Sequence, residues 1–419
     1  MKAVVHRGRW TLEDRVSAPL RELPVELPPG CAALSVELSY EGGVVDLGCH
    51  GPDGFRGWSG GARRTFTIAA GHATPGYLPG EPEPGLWHVW LGLHRVPPEG
   101  VPYEVVATPS GTAPAAPPEP APPPVPERPP RPRSDLPAPA GMRWLAGDLH
   151  AHTVHSDGTL TVTGLACLAA ARGLDFLAVT DHNTVSHHAE LPAAAAHAGV
   201  ALLPGQEVTT DLGHANVFGG EGRPAWVDFR RTAAEWAALA AARGQLMSIN
   251  HPLAGDCAWR HPLGGPPAGT EAGPDAPARP RLAEIWHPSW CDRRWGAPLS
   301  WARLWRPDAV PLGGSDFHDP AQAQRLGEPT TWVLAEDGDV LGGLAAGRTA
   351  VAAAPPQEGA PLLLRVEDDL FALGAGGTVL VGPDGRREVV RGERVRFPSA
   401  DPGMHHLESH ENEVMALCG

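Results

Sequence analysis

Along residues 1–108, apolar and polar positions alternate in short runs that Gly- and Pro-containing turns separate, such as Pro52-Asp53-Gly54. Alternation with period two is typical of half-buried strands. In one run, every second residue from Trp87 to Leu93 is apolar, so these side chains share a face. Frequent turns between short strands favour a sandwich of antiparallel sheets. We predict an N-terminal β-sandwich-like domain over 1–108, with strands at Ala33–Leu38, Arg64–Ile68 and Leu86–Val96.

A proline-rich segment follows over residues 109–141. From Pro114 to Pro126 it reads Pro-Ala-Ala-Pro-Pro-Glu-Pro-Ala-Pro-Pro-Pro-Val-Pro. Proline has no backbone N–H and a fixed φ, so this sequence favours extended polyproline II over a helix or a sheet. We predict a linker that spaces the domains on either side of it.

From Met142 the pattern changes, because short apolar runs alternate with alanine-rich segments of helical length. Three of these segments end at Gly173, Gly199 and Gly244, and glycine is preferred just after a helix end. Such alternation indicates an α/β domain with a parallel sheet, open or closed into a barrel. We predict this domain over 142–355, with helices at Val162–Arg172, Pro192–His197 and Thr232–Arg243 and strands at Trp144–His150, Phe176–Thr180, Val200–Pro204, His214–Phe218, Leu246–Asn250, Ala283–His287 and Ala309–Leu312.

Two stretches depart from this alternation. Leu253–Arg281 is rich in Gly and Pro and is predicted to form a long loop over one end of the α/β domain. Toward the end of the chain, apolar alternation returns in Pro361–Val366, Gly377–Val381 and Arg394–Phe397. We therefore predict a small C-terminal β-unit over 356–419.

Charge and composition narrow the possible functions. The net charge of -15 at pH 7 disfavours sequence-independent binding to nucleic acid or to an anionic membrane. The single lysine, Lys2, argues against Schiff-base chemistry and a Walker-type phosphate loop. The 6 cysteines are scattered, and the sequence has neither a secretory signal nor an apolar run of about 18 residues. We expect a cytoplasmic protein whose partner is a small molecule, and its oligomeric state stays open.

Residues of metal-ligand type stand at the ends of nearly all the strands predicted within 142–355. Because the carboxyl ends of parallel strands meet at one face of an α/β fold, these side chains are expected to converge. Imidazole and carboxylate groups without thiolate suit Mn, Fe or Zn. The sequence thus predicts a multinuclear metal site, built from His150, His152, Asp181, His182, Glu207, His214, His251, His287, Asp316 and His318.

The stretch from Gly147 to Gly158 opens this set. His150 and His152 are separated by one residue, so both point the same way at the end of a strand. Asp157 lies in a Ser-Asp-Gly turn and can fold back toward the same point. His155 is a further ligand-type side chain in this stretch.

Jointly, these motifs resemble those of the polymerase and histidinol phosphatase (PHP) family, over about residues 142–355. The motifs are Asp-Leu-His-Ala-His with Ser-Asp-Gly, Thr-Asp-His-Asn, Glu207, Gly-His-Ala-Asn-Val, Asn-His-Pro and Gly-Ser-Asp-Phe-His. Within the family, Trp144–His150, Leu326–Val333 and Gly347–Thr349 are similar to the CehA/McbA-type metallohydrolases, as is the presence of an N-terminal β-domain. The resemblance implies a distorted (β/α)7 barrel that holds up to three divalent ions, Mn, Fe or Zn.

The resemblance also implies a role for each residue at a matching position. The metal ligands are His150, His152 and Asp316 for the first ion, Glu207 as a bridge to the second, His214 and His251 for the second, and Asp157, His182 and His318 for the third. His287 and His155 are candidates to face the substrate. Asp316 could also accept a proton from the nucleophile. Asp148 and Asp181, which closely precede ligands, are expected to orient them.

The activity implied is hydrolysis of a small phosphomono- or diester, which would make the protein a phosphoesterase. A hydroxide that bridges the first two ions would be the nucleophile, because cations lower the pKa of bound water. Two alternatives keep the same metal site. One is an arylester or carbamate hydrolase with an aromatic pocket of Trp259, Trp286 and Trp290, and the other is a binding module without turnover.

Overall fold

A computed structural model describes residues 1–118, 120–220, 226–262 and 279–419. The chain divides into two compact units, each described here by itself. Unit 1 comprises Met1–Pro122, Thr153–Thr159 and Asp181–Ala189. Unit 2 comprises Pro123–His152, Leu160–Thr180 and Glu190–Gly419.

Unit 1 consists mainly of antiparallel sheets. Its strands are β1 (Val4–Trp10), β2 (Leu20–Leu27), β3 (Ala33–Tyr40), β4 (Val44–Gly51), β5 (Gly54–Gly60), β6 (Thr65–Ala69), β7 (Gly85–Arg95) and β8 (Val101–Ser110), and it also contains helix α1 (Leu12–Ser17) and a 3-10 helix at Ser186–Ala189. The strands form two 4-stranded sheets, in the orders β1-β8-β3-β6 and β2-β7-β4-β5. All the pairings in both sheets are antiparallel.

Both sheets of unit 1 contribute to one apolar core. The alternate residues of β7 from Trp87 to Leu93 lie in this core and are at most 1% exposed, as the period-two pattern predicted. Val25 of β2 and Leu34 of β3 belong to the same cluster and have no exposed surface. Two antiparallel sheets packed on a shared apolar core have the arrangement of a β-sandwich.

Unit 2 mixes strands with few helices. Its strands are β9 (Met142–Asp148), β10 (Phe176–Val179), β11 (Ala201–Thr210), β12 (Gly213–Phe218), β13 (Leu246–Ile249), β14 (Leu282–Trp286), β15 (Val310–Gly313), β16 (Thr330–Glu336), β17 (Thr349–Ala352), β18 (Leu362–Val366), β19 (Asp369–Leu373), β20 (Val379–Val381), β21 (Arg387–Val389), β22 (Arg394–Phe397), β23 (His405–Glu408) and β24 (Val414–Cys418). Its helices are α2 (Val162–Ala171), α3 (Leu191–Ala198), α4 (Ala233–Ala242), α5 (Ala297–Trp305) and α6 (Val340–Ala345), with 3-10 helices at Gly255–Cys257 and Pro356–Glu358.

Most of these strands belong to a single 13-stranded sheet, in the order β15-β14-β13-β12-β11-β10-β9-β16-β17-β24-β23-β20-β21. A separate 3-stranded sheet has the order β18-β19-β22. The strands predicted near the C-terminus are therefore divided between two sheets. β20 continues the large sheet through β23 and β24, whereas β18 and β22 belong to the small one.

The three predicted helices of the α/β region are present and end where glycine indicated. α2, α3 and α4 are followed by Gly173, Gly199 and Gly244, whose φ angles of 69°, 65° and 65° favour glycine. Thr232 caps the start of α4. Its hydroxyl accepts from the Glu235 backbone N–H at 3.3 Å, and the Glu235 carboxylate accepts from the Thr232 N–H at 2.8 Å, which completes a capping box.

The expectation of a uniformly parallel sheet is wrong at β12. β10 pairs in parallel with β9 and β11, and β14 with β13 and β15, but β12 runs antiparallel to both β11 and β13. The reason lies in the connection, because only Asp211 and Leu212 separate β11 from β12. Two residues allow a hairpin but not the long crossover that parallel strands need. β11 also continues to Thr210, so Glu207 lies within this strand, and the prediction that it follows the strand is wrong.

The mixed α/β class is confirmed, whereas the closed (β/α)7 barrel remains a prediction. In the described parts of the chain, four helices lie between β9 and β15, fewer than a complete (β/α)7 alternation requires. β15, at the end of the sheet, is joined to β16 through a side chain. Thr331 Oγ1 accepts from Gly313 N–H at 2.8 Å and donates to the Gly313 carbonyl oxygen at 2.7 Å.

The second half of the predicted linker packs within unit 2. Arg131 Nη2 lies 2.7 Å from Asp175 Oδ1, and Arg133 donates to the carbonyl oxygens of Gly359 and Ala360 at 2.7 and 2.6 Å. Of the predicted loop Leu253–Arg281, residues 263–278 lie outside the described residues. Among the described residues, no helix is both long enough and apolar enough to cross a membrane.

Candidate metal centre

The end of β9 positions the first two histidines of the site. Asp148, the last residue of β9, is fully buried, and its Oδ1 accepts from the backbone N–H groups of His150 and Ser315 at 3.1 Å each. Its Oδ2 accepts from Gly327 N–H at 2.7 Å. Burial raises the pKa of Asp148, although these hydrogen bonds oppose the shift. The carboxylate thus holds three backbone segments together directly below His150.

Backbone bonds beyond the strand ends bring the ligand-bearing segments side by side. His152 N–H donates to the Phe317 carbonyl oxygen at 2.9 Å, which places the segment after β9 beside the segment after β15. Thr180 N–H donates to Ala151 O at 2.9 Å, and Glu207 N–H donates to Thr180 O at 3.2 Å. These backbone hydrogen bonds keep the neighbouring segments in the strand order β9-β10-β11 up to the point where the polar side chains meet.

One group of four predicted ligands converges at this point. Asp316 Oδ1 lies 3.1 Å from both His150 Nε2 and His152 Nε2. Glu207 Oε1 lies 3.2 Å from His150 Nε2, and Glu207 Oε2 lies 3.6 Å from His152 Nε2. The two histidines and Glu207 are at most 1% exposed, whereas the Asp316 side chain is 21% exposed.

A second group shares Glu207 with the first. Glu207 Oε1 lies 3.1 Å from His214 Nδ1 and 3.4 Å from His251 Nε2. The antiparallel hairpin explains how His214 reaches it. His214 opposes Thr209 in the ladder, and Glu207 is two residues before Thr209 on the same face. Because β12 is antiparallel to β11 and β13, its first residues lie at the edge of the sheet where β11 and β13 end.

The donor set fits divalent cations. Across the ranges that the structure describes, His150 Nε2 is buried and makes no hydrogen bond, although two carboxylate oxygens lie within 3.2 Å of it. Nitrogen and oxygen atoms that lie this close without a hydrogen bond have the arrangement expected of ligands around a shared cation. Imidazole and carboxylate ligands without thiolate match Zn, Mn or Fe. The groups His150, His152, Glu207, Asp316 and Glu207, His214, His251 each bring their ligand atoms within 4.8 Å of one another.

The pKa shifts of Asp316 and His150 show that each of these side chains depends on opposite charge nearby. Burial raises the pKa of Asp316, but the imidazoles of His150, His152 and His287 outweigh it and hold that pKa well below its usual range. Burial lowers the pKa of His150, but the carboxylates of Glu207, Glu284 and Asp316 outweigh it and hold that pKa well above its usual range. Positive charge is therefore favoured at this point.

Two predicted ligands have backbone conformations that side chains rarely adopt. Asp316 has φ 50° and His251 has φ 24°. Positive φ costs free energy for residues other than glycine, and such residues are concentrated at functional sites. Both lie just beyond a strand of the large sheet, β13 for His251 and β15 for Asp316.

The remaining predicted ligands belong to different units. In unit 2, His318 Nδ1 donates to the Asp316 carbonyl oxygen at 2.7 Å, which makes Nε2 its ligand-type nitrogen. In unit 1, Asp157 Oδ1 lies 3.6 Å from His182 Nε2. The third ion stays a prediction.

The two substrate-facing candidates have different surroundings. His287 lies in unit 2, where its Nε2 is 3.3 Å from Asp316 Oδ2 and its Nδ1 accepts from Ser289 N–H at 3.1 Å. His155 is buried in unit 1, where its Nδ1 lies 2.8 Å from Ser186 Oγ and accepts from Gly76 N–H at 3.4 Å. His287 thus contacts a predicted ligand directly, whereas His155 is held by polar groups of unit 1.

Asp181, which is predicted to orient a ligand, is held by several polar contacts within unit 1. Its Oδ1 accepts from Thr153 N–H at 2.8 Å and from Ser156 Oγ at 2.6 Å. Its Oδ2 accepts from Thr153 Oγ1 at 2.7 Å and lies 3.1 Å from His187 Nδ1. This carboxylate ties the turn that carries Asp157 to the segment that carries His182.

Two residues beside the ligands were missed by the sequence reasoning. Asn250 Nδ2 donates to Glu207 Oε1 at 2.8 Å, while its Oδ1 accepts from Asn216 N–H at 3.2 Å. Glu284 lies in the middle of β14, with both carboxylate oxygens near His150 Nδ1. A glutamate inside a fully buried strand was the available signal, because such a charge requires a partner.

A pocket in unit 2 adjoins the ligands. His251, Glu284 and His287 form its polar side, together with Ser289. Its apolar side is formed by Pro252, Leu253, Ile285, Trp290, Trp295 and Pro298. Of the tryptophans proposed for an aromatic pocket, Trp290 lines it and Trp286 packs against Trp290, whereas Trp259 packs on Trp305.

Comparison with known proteins identifies the central segment. Residues 148–250 match the family described as PHP domain. The predicted PHP resemblance is confirmed for this segment, which includes His150, His152, Glu207 and His214, whereas the predicted extent 142–355 stays a prediction. The finer assignment to the CehA/McbA-type branch remains a prediction.

Two curated proteins are similar to parts of this region. A 3',5'-nucleoside bisphosphate phosphatase of Chromobacterium violaceum is 46% identical over 70 residues, 17% of this chain and 25% of that protein. A 5'-3' exoribonuclease of Haemophilus influenzae is 41% identical over 64 residues, 15% of this chain and 23% of that protein. The chain spans about a quarter of the length of these curated relatives.

Solved structures give weaker likenesses. A two-domain protein from Bacteroides vulgatus, described as containing a predicted PHP-like metal-dependent phosphoesterase, has 18% identity and a TM-score of 0.39, over 69% of this chain and 90% of that one. A putative metal-dependent phosphoesterase from Bifidobacterium adolescentis has 18% identity and a TM-score of 0.33, over 48% of this chain and 95% of that one. Both TM-scores lie below 0.5.

Proposed function

We propose that the protein is a metal-dependent phosphoesterase that hydrolyses a small phosphomono- or diester. One observation carries the proposal. Glu207 Oε1 lies within 3.4 Å of an imidazole nitrogen of His150, His214 and His251. A carboxylate oxygen with three imidazoles around it suits a bridge between two cations. The PHP domain match and the two curated relatives with phosphatase and exoribonuclease activities support phosphoester chemistry.

The ligand roles follow the predicted assignment. His150, His152 and Asp316 would hold the first ion, and His214 and His251 the second, with Glu207 shared between them. Asp157, His182 and His318 are proposed for a third. Bound there, divalent cations would lower the pKa of a water molecule and neutralise charge on the phosphoryl oxygens. Their identity as Mn, Fe or Zn and their number remain part of the proposal.

The leaving group is proposed to take its proton from water or from His287. The backbone N–H of Ser289 donates to His287 Nδ1, so Nε2 is the ring nitrogen that can donate to the leaving-group oxygen. That nitrogen lies 3.3 Å from Asp316 Oδ2, beside the ligand group and on the wall of the pocket. Asp316, whose side chain is partly exposed, could accept a proton from the attacking water. His155 is kept as a second candidate to face the substrate.

Turnover of p-nitrophenyl phosphate and of its bis ester tests this proposal. We expect metal-dependent hydrolysis of at least one of them by the wild-type protein, and its loss in Asp316→Ala. Asp319→Ala is a matched control, because this nearby aspartate belongs to none of the three proposed ligand groups, and it should retain activity. Metal-loaded wild-type protein that is inert toward a broad panel of phosphoesters would contradict the proposal.

The apolar wall of the pocket favours a second candidate, an arylester or carbamate hydrolase with the same metal site. Trp290, Trp295 and Pro298 stand beside His251 and His287 and could accommodate an aromatic group. Hydrolysis of naphthyl esters faster than of any phosphoester would favour this candidate. A cytoplasmic location, a small-molecule partner and the four segment boundaries 1–108, 109–141, 142–355 and 356–419 also stay predictions.

A further inference from the structure

Glu284 contacts predicted ligands of two different ions. Its Oε2 lies 3.1 Å from His150 Nδ1, and its Oε1 lies 3.3 Å from the same nitrogen. The same Oε2 accepts from the backbone N–H of His251 at 3.1 Å. The residue is 3% exposed and lies in the middle of β14, so the strand fixes the position of its backbone.

The contact with His150 decides which of its nitrogens can bind a cation. A neutral imidazole has one N–H and one lone pair, and a carboxylate beside Nδ1 favours the proton there. The lone pair is then on Nε2, the nitrogen that faces Glu207 Oε1 and Asp316 Oδ1. The contact with His251 acts on the backbone of a residue whose φ is 24°, and so helps to hold this strained conformation.

The backbone near Glu284 leaves room for this arrangement. Gly314 follows β15, and a Cβ atom on it would lie 2.4 Å from Glu284 Oε1 and 2.6 Å from His150 Cβ. Any side chain at this position would therefore displace the Glu284–His150 pair. Glycine at position 314 therefore leaves the space that the contact between Glu284 and His150 requires.

We propose that Glu284 is a positioning residue that fixes the Nδ1–H tautomer of His150 and the backbone of His251, and so sets the metal affinity of the centre. The inference rests on the proposed metal centre but not on the substrate. A carboxylate behind a ligating histidine contributes about 10- to 100-fold to metal affinity in other sites. We expect a loss of that size in Glu284→Gln, which keeps the side-chain shape but removes the charge.

Titration of chelator-treated protein with Mn²⁺ tests the inference, since it measures affinity without any substrate. The matched control is Glu408→Gln. Glu408 Oε1 lies 2.9 Å from His406 Nε2 in the same unit, but this pair is not among the candidate metal groups. We expect about 10- to 100-fold weaker Mn²⁺ binding in Glu284→Gln and unchanged binding in Glu408→Gln.

Nitrogen-15 NMR of histidine in the wild-type protein provides a test that does not depend on how Glu284→Gln folds. In the Zn²⁺-loaded protein, His150, assigned by its loss in His150→Asn, should carry its proton on Nδ1. Wild-type protein that binds no Mn²⁺ would contradict the proposed function itself. Wild-type binding that Glu284→Gln leaves unchanged, or a proton on His150 Nε2, would overturn the positioning role alone.

Discussion

Two buried regions of the molecule differ in chemistry. One is the sandwich core of unit 1. The other is the cluster of predicted metal ligands around Glu207 in unit 2, called the ligand centre below. In the sandwich core, Val25, Leu34 and Leu91 have no exposed surface and contact other apolar side chains. In the ligand centre, Asp148 and Glu207 also have no exposed surface, yet both carry carboxylates. Apolar burial stabilises by itself, at roughly 25 cal/mol per Å². Buried carboxylates cost free energy unless positive charge compensates them.

The difference shows which part of the molecule should depend on cations. The sandwich core needs none, because its packing is complete without them. The ligand centre holds Glu207, Glu284 and Asp316 close to the imidazoles of His150, His152, His214, His251 and His287. The pKa directions of His150 and Asp316 show that positive charge is favoured there. Cations bound to this centre would provide that charge without protonation of the imidazoles.

The largest effect is expected from Glu207→Ala, which removes the carboxylate shared by both ligand groups. We expect kcat/KM to fall at least about 10³-fold, because a cation contributes several kcal/mol to stabilising a transition state. Mn²⁺ binding should weaken in parallel. Glu336→Ala changes an exposed glutamate at the end of β16 and should alter neither quantity. Wild-type kinetics in Glu207→Ala would contradict the proposal that the ligand centre is needed for catalysis.

The next effect concerns the sandwich core. Leu91→Ala should lower the free energy of unfolding by about 2–5 kcal/mol, because it removes a fully buried side chain from a close-packed cluster. Urea unfolding measures this loss. Mn²⁺ affinity of the folded variant should equal that of the wild type. If the substitution weakened Mn²⁺ binding strongly, the contrast between an apolar, metal-independent core and a polar, metal-dependent centre would be wrong.

A smaller effect is expected from removing cations with a chelator. Ligand at 100 times its Kd stabilises a folded state by about 2.7 kcal/mol, so chelation should lower stability by a similar amount. Hydrogen exchange locates the change. Peptides from β9, β11 and β13 should exchange faster after chelation, whereas peptides from β2 and β7 should not change. Equal acceleration in both sets would show that cations stabilise the sandwich core as well.

Much of the ligand centre could be predicted because its residues follow local rules. His150 and His152 stand just past a strand, and Asp316 and His318 follow another, so the convergence of strand ends brings them together. His214 was also identified, but its position at the start of a strand follows from the hairpin that joins β11 to β12. The two-residue connection was visible in the sequence, yet the α/β alternation around it favoured a parallel assignment.

What could not be predicted depends on contacts that are distant in sequence. Glu284 contacts His150, 134 residues earlier. A glutamate in an apolar strand signals that it has a partner, but nothing near it in the sequence shows which residue that partner is. The division of the C-terminal strands between two sheets likewise depends on pairing with β17, which local alternation does not encode. Period-two patterns predict which face of a strand is buried, but not which strand lies beside it.

Metal titration of the wild-type protein tests the central claim most directly. Chelator-treated protein should bind at least two Mn²⁺ or Zn²⁺ ions per chain in a calorimetric titration, and Glu207→Ala should lose the tight binding. Wild-type protein that takes up no divalent cation above the level of Glu207→Ala would contradict the claim that these buried carboxylates and imidazoles form a metal centre.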